Sequence, residues 1–377
     1  MVSTPVVSNC AIYFHYSGNF LRGMYIGFRD KATRLIFEYS KYIFMKLLVF
    51  TLVLVFVSII VSAQTEFPQP KQVAGNLYEV ALDGCKSVFL VTDSGVVVVD
   101  AGISPMDGQN LKASIASVTD KPVKYILLTH HHFDHVGGVQ VFLPGAKVIA
   151  ASGLYFNMQN SGKTLFDNYI AEVETAIHDY QVQTSEQIQG FMQSGATEKA
   201  DSIRNNILFF SNYIDSCKAV RIFKPDIEFK KAYTLEFGGQ KIMLTHPGPA
   251  HTGSDCMVYF PEYNTVHLGD LYLEKTFPLI DKASGASIDS WIKILGQLAD
   301  NKKCEKRLIC GHGHIADRSD LLIMRQLLMD MKTEVQKAKR SNQPVKETAI
   351  KAIMDKYPDY GAPDLLEKDI IMLEKAR

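Results

Sequence analysis

From residue 76 onward the chain alternates short apolar runs with turns. The runs "NLYEVAL" at 76–82, "SVFLVT" at 87–92 and "GVVVVD" at 95–100 are rich in β-branched residues, which suit a pleated, half-buried surface. The last two are separated by "DSG", a turn signal, so the chain opens as an antiparallel meander. The apolar spacing becomes helical over about 106–117 and returns to strand in "VKYILLT" at 123–129. After a polar loop it is strand again in "AKVIA" at 146–150. This order predicts an α/β layered domain.

Over about 152–218 the β-branched runs disappear, and Gln, Asn, Ser and Lys recur at helical spacing, which predicts two or three helices. Strands resume in "YTLEFGGQKIMLTH", with Gly238-Gly239 as the hairpin turn, and in "CMVYFPEYNTVHLGD", turning at "PEYN". A helix over about 287–298, the strand "KRLICGHG", and helices over about 317–340, 345–356 and 363–376 complete the chain. The 152–218 insert reads as a lid or wall over a site, as a dimerising surface, or as plain scaffold. As a lid it would line a pocket with Tyr155, Phe156, Phe166 and Tyr169.

Another apolar segment precedes all of these. Met45 and Lys46 lead an uncharged stretch over 47–61 that ends in Val61-Ser62-Ala63, the anatomy of a signal peptide cleaved before Gln64. Residues 1–44, with Arg22, Arg29, Lys31, Arg34 and Lys41 among aromatics, read as upstream of a true start at Met45. If the segment stays uncleaved, they become a basic cytoplasmic tail ahead of a membrane anchor at 47–63. The apolar stretch falls short of the roughly 20 residues a spanning helix needs, which favours cleavage. The expected plan is a signal peptide at 45–63, a main domain at 64–316 carrying the insert, and C-terminal helices at 317–377 that complete it. The expected location is the periplasm or the exterior.

Lys plus Arg and Asp plus Glu balance at 40 each, so no overall field draws nucleic acid or an anionic membrane. No Lys/Arg block tracks a phosphate backbone either, which argues against a nuclease. A small-molecule substrate is the expected partner, with the oligomeric state unassigned. Beyond Gln64 lie Cys85, Cys217, Cys256, Cys304 and Cys310. This odd number without a CxxC pair argues against a disulfide scaffold; Cys304 with Cys310 is the one candidate pair.

The chemistry concentrates in "YILLTHHHFDHVGG" at 125–138, where four of the chain's 11 histidines and one aspartate occupy six consecutive residues. His130, His132 and Asp134 fall at i, i+2 and i+4, so an extended strand end can aim His130 and His132 at one ion while Asp134 and His135 turn toward a second. Imidazole and carboxylate are the ligands of a zinc-like ion. His131 falls off that register. A solvated histidine tract is the bland alternative, but the cluster follows a buried-type strand and precedes Gly137-Gly138, which permit close backbone approach. Further candidates end later strands: His251 after "IMLT", Asp270 in "VHLGD" and His312 in "LICGHGH".

In that order, HxHxDH, a later His, an Asp and a GHG-type His, the chain resembles the metallo-β-lactamase superfamily over about residues 70–315. The resemblance implies a four-layer αβ/βα sandwich with a helical insertion and C-terminal helices. It assigns His130, His132 and His251 to one ion, Asp134, His135 and His312 to another, and Asp270 to both. Two zinc ions are implied, with another divalent metal or iron as alternatives. A water or hydroxide shared by the ions would hydrolyse the substrate, oriented by Asp134 as the catalytic residue.

"PGPAHTGSDCMVYFPEYNTVHLGD" looks like the corresponding stretch of secreted metallo-β-lactamases. The best-known of these, however, carry Cys where Asp270 stands, and lack a His at the position of His135. The complete set is similar to glyoxalase-type thioesterases and acyl-homoserine lactonases, although a glutathione thioester is an awkward substrate outside the cytoplasm. Lys275 is offset from the lysine that holds a lactam carboxylate. Diiron flavoprotein relatives replace a motif His with Glu, whereas His132 is retained here.

The expected function is therefore an exported zinc-dependent hydrolase of a carbonyl ester-like bond, β-lactam foremost. Lactone or thioester is the alternative, with phosphodiester hydrolysis or mononuclear iron dioxygenation behind. Asp100, Asp255, His246 and His314 are expected to support the site, His314 also as a possible proton donor. His267 is expected in a strand, His15 and His178 in solvent, and Cys256 and Cys310 in packing. N-terminal sequencing of exported protein is expected to start at Gln64; a start at Met1 would overturn the cleavage reading.

Overall fold

A computed structural model of the chain describes residues 67–300 and 307–375. The signal segment, residues 1–44 with His15, and Cys304 lie outside the described residues.

The opening meander forms as its patterning predicts. Strands β1 (Lys71–Ala74), β2 (Leu77–Ala81), β3 (Lys86–Thr92) and β4 (Gly95–Val99) pair antiparallel in sequence order. Helix α1 (Pro105–Ala116) then crosses over, so β5 (Val123–Leu127) returns parallel to β4. Ser104 caps α1 by accepting from Asp107 N, with Pro105 at the first helical position. Strands β6 (Lys147–Ala151) and β7 (Ile227–Phe229) extend the parallel half and complete a seven-stranded sheet. The two edge strands, β1 and β7, are too short to show as periodicity in the sequence.

A second sheet holds β8 (Ala232–Phe237), β9 (Gln240–Thr245), β10 (Met257–Phe260), β11 (Thr265–His267) and β12 (Arg307–Ile309), in the order β12-β11-β10-β9-β8. Gly238 and Gly239 turn β8 into β9 with φ of 55° and 79°, the left-handed pair that a tight hairpin requires. Val88, Leu90, Val97, Val99, Leu127 and Ile149 of the first sheet pack against Leu235, Ile242, Leu244, Val258 and Phe260 of the second. Full burial of each such side chain contributes about 1.5–3 kcal/mol.

Four more helices, α6 (Ile288–Asp300), α7 (Arg318–Arg340), α8 (Val345–Lys356) and α9 (Pro363–Lys375), bury Trp291, Leu295, Met324, Leu328, Ile353 and Ile370 in one cluster with Val266 and Leu308 of the second sheet. The C-terminal helices thus share a core with that sheet. Layers of helix on sheet and sheet on helix result, as the resemblance implies.

Between β6 and β7 the chain forms a short helix (Leu154–Asn157), one π-turn (Met158–Gly162) and two long helices (Lys163–Gln193 and Thr197–Lys218). Among the described residues, Tyr169–Asp215 form a compact unit of their own, distinct from that of Phe67–Asn168 and Ser216 onward. Within it the long helices meet through Tyr169 and Tyr213, whose hydroxyls lie 2.9 Å apart.

Trp291 is completely buried, and its indole N–H donates to Leu271 O at 2.9 Å. Trp291→Phe leaves that carbonyl unpaired and is expected to cost about 1–3 kcal/mol of unfolding free energy. Trp291→Ala is expected to cost about 3–5 kcal/mol. Urea titration measures both losses, and a Trp291→Phe variant as stable as the wild type would contradict the role given to the hydrogen bond.

Candidate metal site

Each candidate ligand sits just beyond a strand. Residues 130–132 continue from β5, His251 follows β9, Asp270 follows β11 and His312 follows β12. The strand ends are tied across the two sheets, because Cys256 N donates to Thr129 O at 2.6 Å and Lys86 N to Gly311 O at 2.7 Å. The alternating register expected through "HHHFDH" stops at His132. That residue is extended and opens helix α2 (Phe133–Val136), so a helical turn, not strand alternation, carries Asp134 and His135. The insert helices follow it as α3 (Leu154–Asn157), α4 (Lys163–Gln193) and α5 (Thr197–Lys218).

The seven residues come together as two adjacent donor sets: His130, His132 and His251, and Asp134, His135, Asp270 and His312. In the first, His132 Nδ1 and His251 Nε2 are 3.0 Å apart. In the second, His312 Nε2 lies 3.2 Å from Asp134 Oδ2 and 3.3 Å from Asp270 Oδ2, and His135 Nε2 lies 3.3 Å from Asp270 Oδ1. Asp270 Oδ2 also faces the first set, 3.9 Å from His130 Nε2 and 3.8 Å from His251 Nε2.

The hydrogen bonds behind these rings fix which nitrogen points inward. His251 Nδ1–H donates to Leu279 O at 2.7 Å, and His135 Nδ1–H to Asp100 Oδ2 at 2.7 Å. His132 Nε2–H reaches Asp281 Oδ2 at 3.3 Å, while His130 Nδ1 lies 3.1 Å from Thr129 Oγ1. With their protons committed outward, His132 Nδ1 and His251 Nε2 face each other with lone pairs, an arrangement that suits a cation between them. Among the described residues, His130 Nε2, His135 Nε2 and Asp270 Oδ1 are buried without a hydrogen-bond partner. His135 Nε2 and Asp270 Oδ1 are near each other but not aligned for a hydrogen bond. Orphaned donors and acceptors of this kind, converging on one place, fit metal ions.

The two sets differ in charge. Burial, with His135 and His132 nearby, lowers His130 well below the usual imidazole range, and burial followed by His132 lowers His251 to about 3. In the second set burial opposes charge but is outweighed: Asp270 raises His135 well above its usual value and His312 to about 10, and the two imidazoles hold Asp270 far below the carboxylate range. Burial likewise works against Asp134, yet His135 and His312 bring it down to about 2. Burial thus disfavours charge on His130 and His251, whereas the second set is held as paired charge.

The remaining expectations divide. Asp100 supports the site as expected, accepting from Thr129 N at 2.9 Å as well as from His135. Asp255 accepts from Ala250 N, Thr252 N and Thr252 Oγ1, bracing the loop that carries His251. His246 bonds to the backbone oxygen of Asp255 and His267, in β11, to that of Lys86. His314 is held between Glu274 at 2.8 Å and Asp320 at 3.1 Å, half-exposed. His178 is exposed. Phe166 stacks on Phe133 at 4.4 Å, while Phe156 is exposed. Lys275 lies 4.0 Å from Asp359. Cys256 and Cys310 are free and buried, and the candidate partner of Cys310, Cys304, lies outside the described residues.

Sequence reading missed Asp281, which contacts both His131 Nε2 at 3.2 Å and His132 Nε2 at 3.3 Å. Burial opposes its charge, but these imidazoles hold its carboxyl far below the usual range. It also missed Gly311, where a Cβ would stand 2.1 Å from Asp270 Oδ1 and 2.6 Å from His135 Cε1. The local signal for Asp281 was an aspartate between an apolar run and Ser284-Gly285; nothing local linked it to histidines 150 positions earlier.

The profile of the metallo-beta-lactamase superfamily matches residues 80–314. A linear primary-alkylsulfatase from a Pseudomonas species is 20% identical over 215 residues, 54% of this chain and 37% of that protein. Metallo-beta-lactamase IND-1 of Chryseobacterium indologenes is 22% identical over 242 residues, 63% of this chain and 77% of that protein. The chain therefore spans little more than a third of the alkylsulfatase and about three quarters of the lactamase. Among solved structures, a stereoselective inverting sec-alkylsulfatase from Pseudomonas sp. superposes with a TM-score of 0.51 at 16% identity, covering 73% of this chain and 43% of that one. That likeness is one of fold.

Removing the carboxylate behind His135 tests the outward hydrogen bonds. Asp100→Ala is expected to weaken metal binding about 10–100-fold, read by chelator competition. Unchanged affinity would show that His135 is oriented without Asp100.

Proposed function

The chain belongs to the metallo-beta-lactamase superfamily, and from that premise we propose that it is an exported hydrolase with a dinuclear zinc centre that opens a carbonyl ester-like bond, β-lactam foremost. The observation that carries the two-metal reading is the placement of Asp270 Oδ2, within 3.3 to 3.9 Å of His312, His251 and His130. A single carboxylate facing both donor sets suits two neighbouring cations. His130, His132 and His251 would hold one ion and Asp134, His135 and His312 the other, with Asp270 shared. Bound there, divalent ions would polarise a carbonyl oxygen and bring the pKa of water toward neutrality.

The chain's own groups account for approach and proton handling. Asp134 and His312 keep 29% and 33% of their side chains exposed, whereas His130 and Asp270 keep 1% and 6%. Substrate and water therefore reach the cluster from the side of Asp134 and His312. Asp134 stays ionised there, so its carboxylate can orient an attacking water by accepting a hydrogen bond and can pass a proton onward. No covalent nucleophile is needed. Cys256 and Cys310 are buried in the core, and burial raises both thiols.

Among carbonyl substrates, the share of the lactamase's length that is matched and the stretch around His251 support a β-lactam. Asp270 and His135 together support a lactone or thioester as the second class. The partial match to an alkylsulfatase adds an alkyl sulfate to the substrates worth testing. The zinc content of the mature protein and turnover of a chromogenic cephalosporin, an acyl-homoserine lactone, a thioester and a primary alkyl sulfate, each with and without chelator, test the reading. Two zincs and chelator-sensitive cephalosporin opening are expected. One iron without zinc would sink the dizinc reading, and turnover confined to another substrate would move the specificity to it. Asp134→Asn is expected to lower kcat by about 10²–10⁴; an unchanged kcat would remove Asp134 from proton handling.

A further inference from the structure

Three consecutive residues, Leu279, Ile280 and Asp281, run behind the three-histidine set in a segment that is neither helix nor strand. Leu279 O takes the His251 Nδ1–H, and Asp281 Oδ2 takes His132 Nε2 and His131 Nε2. Asp281 N also donates to His251 O at 3.1 Å. Two of the three inward-facing imidazoles are thus oriented by the residues on either side of Ile280.

Ile280 is itself tied to the far end of the chain. Its N–H donates at 3.0 Å to Asp369 Oδ1 on α9. Asp369 is 2% exposed, and among the described residues its Oδ2 has no hydrogen-bond partner. Burial pushes its carboxyl up to about 8. A half-satisfied buried carboxyl costs stability where an apolar residue of similar size would not, so packing alone does not account for an aspartate here. The same segment meets the loop before α9 again through Phe277 N to Gly361 O at 3.1 Å and Gly361 N to Lys275 O at 2.8 Å.

We propose that Asp369 is a positioning residue for the metal centre: through the Ile280 N–H it holds Leu279 and Asp281 where they aim His251 Nε2 and His132 Nδ1 inward. The C-terminal helix thereby becomes a determinant of metal affinity at the three-histidine set. The proposal rests on the reading of that set as a metal site. Asp369 touches neither metal nor substrate and acts through two backbone positions and one carboxylate.

The test compares full-length wild type with Asp369→Asn and Asp369→Leu, with Asp369→Ala in reserve should the leucine variant not fold. Zinc affinity is measured by chelator competition, and cobalt spectra report the two donor sets separately; melting of the metal-free proteins checks the fold. Asp369→Asn retains the acceptor and is expected to stay within about twofold of wild type. Asp369→Leu is expected to release one metal equivalent about 10–100-fold more readily, the range known for groups that orient ligands, with the spectral change confined to the three-histidine set. Full retention of both equivalents by Asp369→Leu would overturn the proposal, as would equal loss of both together with a collapse of melting temperature. A third tightly held equivalent that disappears in Asp281→Asn would also overturn it, by making Asp281 a ligand. Wild type that binds no metal at all would fail the site reading itself, a result distinguishable from the others before any variant is made.

Discussion

Burying imidazoles and carboxylates side by side is the constraint around which this chain is arranged. Charged groups taken out of water are costly unless each meets an opposite charge, a hydrogen bond or a cation. Here the outward nitrogens of His132, His135 and His251 are committed to Asp281, Asp100 and a backbone carbonyl. What remains unsatisfied points inward and converges. The site is thus defined as much by the groups that hold the rings from behind as by the rings themselves.

Close approach of backbone makes that convergence possible. A Cβ on Gly137 would stand 1.9 Å from Ile103 O, and one on Gly138 2.0 Å from Ala101 O. The turn after the histidine motif can therefore lie directly on the loop that follows β4, where Asp100 waits for His135. Gly269, with φ of 56°, turns the chain just before Asp270, a backbone state that side chains with a Cβ rarely adopt.

The second sheet and its helices have a part in this beyond stability. The core that joins Trp291 and Ile370 to the second sheet also sets the position of α9 and of the segment running behind His251 and His132. Trp291 sits edge-on to His251, with ring centroids 5.6 Å apart. Packing far along the chain from the histidine motif thereby bears on the orientation of the rings.

Much of this was legible in one dimension. Periodicity marked the strands from β2 to β6, the Gly238-Gly239 hairpin and the C-terminal helices, because each is a local pattern of burial or turn chemistry. The spacing of "HHHFDH", with His251, Asp270 and His312 at later strand ends, identified the seven residues that the structure gathers into two sets. Pairing partners distant in sequence were not legible. Asp281 and Asp369 are single carboxylates in ordinary surroundings, and only the packing of α9 on the second sheet brings one to Ile280 and leaves the other against His131 and His132. The helical turn at α2 and the two short edge strands depend likewise on neighbours that local pattern does not encode. The sequence by itself determined which groups can bind and in what order they arrive; the tertiary structure decided which nitrogen of each ring faces inward, because that choice belongs to hydrogen bonds made across the fold.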